Sequence, residues 1–321
     1  MYHGANLPIV GEFANPTLLA ELAVQAEHAG WDGVFVWDTL LFDVETMPPV
    51  VDPWTVLAAI ATSTTRVKIG PMIAQLARRR PWEVARQVVT LDHLSQGRFI
   101  LGAGLGYASE ADFGHFSLPS DARARADLLD ESLDVIAGLC SGEPFAYQGR
   151  HYTIKETVFR PSPVQNHIPV WVGGYWPHKR PMRRAARWHG AFPAPQVVPT
   201  ADGFAAMPFP PEEVSRVRSY IEQHRSNREP FDLVISHALP LNDPAAAAEE
   251  ARRYEQVGVT WIVRDWLPWE TGPDELRAQL RRGPLGCRVG RMARFLPGRT
   301  FSSDPPPNPA YPFPSTGLSS D

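Results

Sequence analysis

Short apolar segments recur along most of this 321-residue chain, and each is followed by a segment with helical periodicity. The clearest apolar segments are residues 33–37, 67–73, 99–103, 169–172, 233–236 and 259–263. Their nearly continuous Val, Ile, Phe and Trp content is typical of strands buried on both faces, as in a parallel sheet. The helical segments include residues 18–29, 54–63, 82–94 and 124–139. This alternation predicts an α/β fold, a (β/α)8 TIM barrel, with an open doubly wound sheet as the alternative.

Three helix starts are marked by an N-cap residue that stands directly before proline. The capping residues are Asn15, Asp52 and Asp243. Asn and Asp side chains accept hydrogen bonds from the free N–H groups of a first helical turn, and proline suits the first helical position. The sequence therefore predicts helix N-termini at these three places.

The alternation breaks in three regions. Residues 143–165 contain a turn and an alternating strand, which predicts a small hairpin inserted between the fourth helix and the fifth strand. Residues 196–211 are rich in Pro, Ala and Gly and are predicted to form a mobile loop. Residues 1–284 are predicted to be the barrel domain. Residues 285–321 are predicted to be a proline-rich C-terminal extension that is partly disordered.

Composition and cysteine usage restrict the function classes. The net charge of −4 argues against nucleic acid or an anionic membrane as a partner. No apolar stretch approaches the roughly 20 residues of a transmembrane helix. The two cysteines, Cys140 and Cys287, are far apart, and no metal-binding spacing of His or Cys is present. We expect a cytoplasmic protein without a metal site that acts on a small molecule.

Chemistry in a barrel is expected on the loops that follow the C-terminal ends of the strands. Asp38 follows the second strand, where a catalytic role and a turn-capping role are equally consistent with the pattern. The glycines between residues 102 and 106 leave space for a flat ligand against the backbone. They lack the following helix of a dinucleotide fingerprint. Gly173 and Gly174 precede a basic helix, which predicts a phosphate site; a tight turn before a solvated basic helix is the alternative.

Several of these segments, taken in order, resemble the bacterial luciferase-like flavin and deazaflavin oxidoreductases. The matching segments are residues 29–38, 52–54, 66–72, 80–82, 91–98, 102–106 and 168–174. The resemblance runs from about residue 7 to residue 284. It implies a TIM-like barrel, commonly homodimeric, whose mouth holds reduced FMN or the deazaflavin coenzyme F420. It also implies monooxygenation or hydride transfer on a small organic substrate.

The same resemblance implies which residues would hold the cofactor. The ring would be lined by Trp37, Met72 and Ile73, with a non-prolyl cis peptide near Met72–Ile73, and by the strand end at Gly104, Leu105 and Gly106. The phosphate end would lie at Gly173, Gly174, Tyr175, Trp176 and Lys179. Leu105 stands where some members have an arginine, which favours the deazaflavin over FMN. Three tryptophans are predicted to wall an apolar substrate pocket: Trp176, Trp266 and Trp269.

The predicted catalytic residues are Asp38, Thr39 and Glu110. Thr39 stands where many members of the resembled family carry a histidine, and threonine cannot exchange a proton near pH 7. His3 and Asp265 are further acid/base candidates because of their positions. Two alternatives remain open: a metal-independent barrel hydrolase that binds an anionic metabolite through Arg78–Arg80, and a flavin-binding protein without turnover.

Overall fold

The computed structural model describes residues 1–106, 109–200, 203–226, 228–240 and 242–284. Within these ranges, the side chains of residues 109, 197–200 and 203–206 are not described. The proline-rich extension predicted at residues 285–321 lies outside the described residues.

Parallel strands alternate with helices along the described chain. The strands are β1 (Tyr2–Leu7), β2 (Gly33–Val36), β3 (Lys68–Pro71), β4 (Ala74–Gln75), β5 (Leu101–Gly104), β6 (Phe145–Gln148), β7 (Thr153–Thr157), β8 (Val170–Trp176), β9 (Gly190–Pro195), β10 (Val197–Thr200), β11 (Gly203–Ala206), β12 (Asp232–Ser236) and β13 (Trp261–Asp265). The helices are α1 (Pro16–His28), α2 (Pro53–Ser63), α3 (Pro81–Leu94), α4 (Ser109–Asp112), α5 (Ala122–Cys140), α6 (Lys179–Ala185), α7 (Pro211–Glu222), α8 (Pro244–Gln256) and α9 (Pro273–Arg281).

Nine of these strands form one parallel sheet that closes into a barrel. Their spatial order is β3-β2-β1-β13-β12-β9-β8-β5-β4. β3 and β4 are separated only by Met72 and Ile73, so they are two parts of one barrel strand. Ile69 N donates to Arg98 O (3.1 Å) and Ile100 N donates to Ile69 O (2.8 Å), which joins β3 to the segment entering β5. The barrel therefore has eight strand positions, the predicted TIM-barrel fold is confirmed, and the doubly wound alternative is wrong.

The three predicted N-caps are confirmed. Asn15 Oδ1 accepts from Thr17 N and Leu18 N, at 3.1 and 3.2 Å. The carboxylates of Asp52 and Asp243 likewise accept from the first-turn amides of α2 and α8. Each cap fixes the point at which the chain leaves a loop on the mouth side of the barrel and enters an outer helix.

The hairpin insertion is confirmed, whereas the predicted loop at residues 196–211 is wrong in part. β6 and β7 pair in antiparallel fashion between α5 and β8. β10 and β11 form a second antiparallel hairpin inside the predicted loop, and β9 before it is a barrel strand. β9 carries two prolines, which usually exclude a central strand. They are tolerated because β12 pairs with β9 only at Gly190 and Ala191, before the first proline.

Large side chains fill the barrel beneath its mouth. The interior cluster consists of Phe35, Met72, Ile100, Trp171, Val234, Trp261 and Val263. The rings of Trp171 and Trp261 lie 5.2 Å apart, and those of Phe35 and Trp171 lie 5.4 Å apart. At the base, Asp232 accepts from the Trp171 indole at 3.1 Å, and burial raises the pKa of this carboxyl. The interior is a packed core, so only the open end can receive a ligand.

Candidate active site

The pleat of the barrel strands decides which side chains reach the mouth. A Cβ built on Gly4 would lie 2.9 Å from the Phe35 ring, so Gly4 faces the interior. Because side chains alternate along a strand, Asn6 faces the interior at the C-terminal end of β1. Asp265 is its neighbour in register at the end of β13. The same pleat turns His3 and Arg264 outward.

A carboxylate network occupies this part of the mouth. Asn6 Nδ2 donates to Asp265 Oδ1, and the Ser236 hydroxyl donates to Asp265 Oδ2. The Trp37 indole N–H is a third donor to this carboxylate. Burial raises the pKa of Asp265 even though all three hydrogen bonds favour the charged form. Ser236 is exposed to the mouth, which gives this network a contact with any ligand bound there.

Aromatic side chains form one rim of the opening. Trp37 is partly buried and stacks on Phe42, with ring centroids 6.0 Å apart. Trp269 lies 5.7 Å from Phe42, and 62% of it is exposed. Trp269 is therefore placed where the sequence predicted an apolar wall. The two other tryptophans of that prediction lie elsewhere: Trp266 is buried against the Trp31 ring outside the barrel, and Trp176 packs on α7.

A second part of the mouth has an apolar floor built around Ile73. A Cβ on Gly104 would lie 2.1 Å from Ile73 Cδ1, and one on Gly173 would lie 2.9 Å from the same atom. The two glycines therefore make room for the Ile73 side chain between β5 and β8. The Met72–Ile73 peptide is cis, as the resemblance implied, and Met72 is buried in the interior cluster.

Asp38 is buried in an ion-pair cluster. Its side chain is 0% exposed and is bonded to the guanidinium groups of Arg78 and Arg79, the latter at 2.8 Å. Gln75 N also donates to Asp38 Oδ2 at 3.1 Å. Burial lowers the pKa of Arg78, and the nearby Asp38 charge partly opposes this. An enclosed carboxylate with three donors has no access to a ligand, so its geometry is that of a structural residue.

Thr39 is also held in a hydrogen-bond network. Its hydroxyl donates to both carboxylate oxygens of Asp112, at 2.9 and 3.0 Å. Asp112, only 1% exposed, further accepts from Leu40 N at 2.6 Å and from Gln75 Nε2. Asp112 thus fastens the loop after β2 to the short helix α4. The Thr39 hydroxyl contributes one of the hydrogen bonds that hold the loop to α4.

The strand end after β5 is fixed by contacts from two directions. Gly106 adopts a φ of 76°, and a Cβ there would lie 1.9 Å from Gln75 Oε1, so only glycine fits. Gln75 Oε1 is buried and has no hydrogen-bond donor. Leu105 O accepts from Arg125 Nη1 at 2.7 Å, which holds the partly buried Leu105 in place.

The predicted phosphate segment after β8 is brought to the mouth only in part. Gly173 is buried and Tyr175 partly buried at inward-facing positions. Trp176 faces outward and donates to Glu213 at 3.1 Å. The Lys179 ammonium lies 3.7 Å from the Trp176 ring centroid and 4.4 Å from that of Tyr220, in the same outward direction.

Two arginines of α6, and Arg187 just after it, pair with acidic residues of α5. Arg180 bonds to Asp127 at 2.6 Å and to Asp130 at 2.9 Å. Arg184 also bonds to Asp130, and Arg187 bonds to Asp134 at 2.7 Å. Arg180 and Arg184 thus join α6 to α5, so two of the charges on which the predicted anion-binding helix depended are already paired.

Two further acid/base candidates lie away from the carboxylate network. Glu110 is exposed on α4, and its carboxylate lies over Gly114. His3 is buried on the outer face of β1. Across the described ranges, no cluster of three or more His, Cys, Asp or Glu side chains could hold a metal ion. None of the described helices is long and apolar enough to cross a membrane.

Sequence reasoning did not single out Asn6, Ser236, Gln75 or Asp112. Asn6 and Ser236 stand at inward-facing positions at the ends of their strands, so the alternation of each strand was a usable signal. Gln75 and Asp112 act through partners 37 or more residues away along the chain, and no local pattern marks such contacts.

Two kinds of comparison relate this site to known proteins. The chain is 32% identical over 167 residues to the F420-dependent glucose-6-phosphate dehydrogenase of Microbacterium testaceum, a match that spans 50% of this chain and 48% of the relative. An F420-dependent secondary alcohol dehydrogenase in complex with an F420–acetone adduct has a TM-score of 0.67 and 14% identity over 88% of this chain and 99% of its own. A type II Baeyer–Villiger monooxygenase of Pseudomonas putida in complex with FMN has a TM-score of 0.67 and 16% identity, over 90% of this chain and 99% of its own.

These structural similarities, at such low identity, show the fold alone. The family model described as luciferase-like monooxygenase matches residues 4–285, from β1 to the end of the described chain. That range contains the barrel strands, with β1 from its third residue on, and the whole mouth described above. The chain therefore belongs to the luciferase-like monooxygenase family.

Proposed function

We propose that this protein is a deazaflavin-dependent oxidoreductase that interconverts an alcohol and a carbonyl compound in the barrel mouth. One observation carries the proposal: a carboxyl with a raised pKa, Asp265, lies in the mouth and is linked to the exposed hydroxyl of Ser236. Removing a hydride from an alcohol also requires removing its O–H proton, and a carboxylate with a raised pKa is a better acceptor for that proton than an ordinary one. The F420-dependent enzymes among the similar proteins support the same class.

The residues of the mouth fit a flat heterocyclic cofactor. The floor at Ile73 is apolar, and the glycines that flank it add no side chains of their own. Asn6 Oδ1 and Gln75 Oε1 are buried acceptors without a donor, and ring N–H groups are donors of the kind these atoms lack. The chemistry that a deazaflavin supplies when bound is hydride transfer. FMN remains the second cofactor candidate, since FMN-dependent proteins share this fold.

The proposed cofactor contacts keep most of the positions predicted from the sequence. Ring contacts are assigned to Trp37, Ile73, Gly104 and Gly106, with Met72 and Leu105 beneath and beside them. Phosphate contacts are assigned to the backbone of Gly173, Gly174 and Tyr175. Trp176 and Lys179 support this turn from outside, because the Lys179 ammonium lies on the Trp176 ring.

The proposed acid/base residue is Asp265. The Ser236 hydroxyl, which donates to Asp265, passes the proton from the substrate hydroxyl to this carboxylate. Asp38 and Thr39 shape the mouth by holding the loop after β2. Glu110, at the entrance, is assigned to no proton transfer because its carboxylate faces Gly114. This arrangement supplies an exchangeable proton in the mouth although position 39 has no histidine.

We propose an uncharged, apolar substrate. Trp269, Phe42 and Trp37 present aromatic surface at the rim. Arg78 and Arg79 both donate to the Asp38 carboxylate, which holds the two guanidinium groups away from a substrate anion. The hydrolase alternative depended on Arg78–Arg80, and it is disfavoured because Arg80 is also paired, with Glu83 at 3.5 Å. The proposed substrate therefore differs from the sugar phosphate in the name of the Microbacterium relative, because that compound is an anion.

The test combines binding and turnover. The purified protein is titrated with F420 and, separately, with FMN, and cofactor fluorescence is followed in both oxidation states. Saturable F420 binding followed by F420 reduction with a panel of apolar secondary alcohols is the expected result. Saturable binding of neither cofactor would refute the oxidoreductase, and binding without turnover on any alcohol would favour the non-catalytic alternative.

The acid/base assignment is tested with Asp265→Asn. We expect F420 affinity within about threefold of wild type and a turnover rate lower by about 10²–10⁴-fold. Wild-type turnover should rise with pH through the raised pKa of Asp265, because the base must be deprotonated, and the variant should lack this limb. Glu270→Gln, an exposed acidic neighbour of Trp269, is the control that should leave turnover unchanged. Wild-type turnover in Asp265→Asn would contradict the assignment.

A further inference from the structure

His189 lies at the base of the barrel, directly before β9, and connects this strand to β8 and β12. Its backbone N–H donates to Val170 O at 3.1 Å, and its carbonyl accepts from Asp232 N at 2.9 Å. Its ring takes part as well, because Val170 N donates to His189 Nδ1 at 3.2 Å. Pairing of β8 with β9 begins one residue later, at Trp171 and Gly190. The imidazole therefore holds a strand N–H group at the point where this pairing starts.

The hydrogen bond from Val170 fixes both the charge and the tautomer of the His189 ring. A ring nitrogen accepts a hydrogen bond only when it carries no proton, so Nδ1 is unprotonated and the single ring proton is on Nε2. In the imidazolium form both ring nitrogens are donors. Protonation of His189 would set two N–H groups against each other, and the contact between the ring and β8 would be lost.

A second imidazole, from the segment that enters β8, lies against the first. The rings of His167 and His189 are stacked, with centroids 4.5 Å apart and an angle of 14° between their planes. His167 is exposed, whereas His189 is half-buried. Burial is the largest cause that lowers the pKa of His189, and the neighbouring His167 lowers it further because two imidazolium rings repel each other.

Charged groups from two further elements face the ring. Arg225, in the segment after α7, lowers the pKa of His189, and Glu229 in the same segment raises it. The Arg225 guanidinium also donates to Glu229 O at 2.8 Å, which keeps this charge beside the ring. From β12 comes Asp232, whose carboxylate accepts from the Trp171 indole at 3.1 Å. Burial outweighs Glu229, so the neutral ring is favoured at this place.

We propose that the His167–His189 pair is an acid-sensitive switch at the base of the barrel, which releases the start of β8 from β9 when His189 binds a proton. Near neutral pH the unprotonated Nδ1 holds Val170. Below about pH 6.5, the ordinary value for histidine, the opened chain binds the proton more tightly than the closed one, so closure weakens as the pH falls. The switch lies at the opposite end of the barrel from the mouth and stands independently of the proposed oxidoreductase function.

The first test compares thermal unfolding of the full-length wild type and His189→Asn from about pH 7.5 to about pH 5. Asparagine Oδ1 can accept from Val170 N in place of Nδ1, and it does not titrate. We expect the melting temperature of the wild type to fall relative to that of the variant as the pH drops through about 6.5. The ratio of their folding equilibrium constants should change tenfold for each pKa unit by which folding lowers the pKa of His189.

One control and one contrary outcome belong to this comparison. His115→Asn removes an exposed histidine on the mouth side of the barrel and should retain the pH dependence of the wild type. If the curves of the wild type and His189→Asn run parallel over the whole pH range, the switch is refuted.

His167→Gln tests the outer ring and remains informative if His189→Asn fails to fold, because the changed side chain is exposed. Loss of the outer imidazole removes one of the causes that lower the pKa of His189, so the loss of stability in acid should become smaller. Equal acid sensitivity of His167→Gln and the wild type would contradict a switch built from both rings.

A third measurement needs no variant. NMR of the wild type with ¹⁵N-labelled histidine rings shows which ring nitrogen carries the proton, and the ring of His189 is recognised by its contact with the Val170 N–H group. At neutral pH we expect an unprotonated Nδ1 and a protonated Nε2, and at lower pH the Nδ1 atom should gain a proton as the Val170 contact is lost. A proton on Nδ1 at neutral pH, or a Val170 contact that persists after protonation, would overturn the proposal.

Discussion

Replacing Asp38 by Asn should lower the free energy of unfolding of the protein. This variant tests a structural role for Asp38, not a catalytic one. The change preserves the shape of the side chain and removes its charge. Arg78, with a side chain only 2% exposed, then loses its counter-charge, and the new amide N–H group faces donors instead of acceptors. Gln75 N, at 3.1 Å from the present carboxylate, loses a charged acceptor as well.

The size of the effect follows from these contacts. Removing one partner of a buried ion pair costs about 3–5 kcal/mol. A domain of ordinary stability unfolds with about 5–15 kcal/mol, so the loss is a large part of the total. The corresponding fall in the melting temperature is about 6–15 °C for a chain of this size. Urea unfolding followed by tryptophan fluorescence measures the free energy directly.

Two further variants show whether the mechanism is the buried charge. Glu45→Gln removes an exposed acid from the same loop and should change stability by less than about 0.5 kcal/mol. The double variant Asp38→Leu with Arg78→Met removes the most buried charge pair and should recover part of the lost stability, although Arg79, 15% exposed, then lacks its carboxylate partner. Stability of Asp38→Asn within about 1 kcal/mol of wild type, combined with loss of turnover, would refute a structural role for Asp38.

Three further predictions concern the titration of Asp265, the floor at Ile73 and the accessibility of Cys140. The free energy of unfolding of the wild type should fall relative to that of Asp265→Asn as the pH rises from about 4 through the raised pKa of Asp265. The fall should be about 1.4 kcal/mol for each pKa unit by which folding raises the pKa of this carboxyl. A difference between the two proteins that does not depend on pH would contradict this. Gly104→Ala should displace Ile73 from the floor and weaken cofactor binding by about tenfold, at a stability cost of about 1–3 kcal/mol. Gly272→Ala, whose added Cβ would make only an ordinary contact with Glu12 Oε2 at 3.8 Å, should leave cofactor titrations unchanged. Burial raises the pKa of the Cys140 thiol to about 12, so iodoacetamide at mildly alkaline pH should label this thiol only after unfolding, and rapid labelling of the folded protein would show that it is accessible.

The fold was largely predictable because its signals are local. Helix α1 begins after Asn15 as its side chain dictates, and buried strands such as β2 are continuous apolar runs. β9 escaped prediction because Pro193 and Pro195 are read locally as breakers. The missing N–H group of a proline matters only where a neighbouring strand offers a carbonyl to accept its hydrogen bond. β12 stops pairing with β9 before Pro193, so no such bond to β12 is lost.

The site was predictable in position but not in the roles of its residues. The barrel fold places chemistry at the strand ends, so Trp37, Ile73 and Asp265 could be named from the sequence. The role of Asp38 depends on two arginines 40 and 41 residues away, and a carboxylate in a Trp-Asp pair looks the same whether its partner is a ligand or a guanidinium. Distinguishing the two requires the three-dimensional contacts.

The filled barrel interior has a kinetic consequence. Phe35, Trp171 and Trp261 leave no passage through the barrel, so ligands enter and leave by one opening. A cofactor resting on the Ile73 floor would be covered by a substrate at the aromatic rim. Binding would then follow a compulsory order, with cofactor first and substrate second, and product would leave before the cofactor. Excess substrate in the empty mouth would compete with the cofactor, which gives steady-state rates a maximum in substrate concentration.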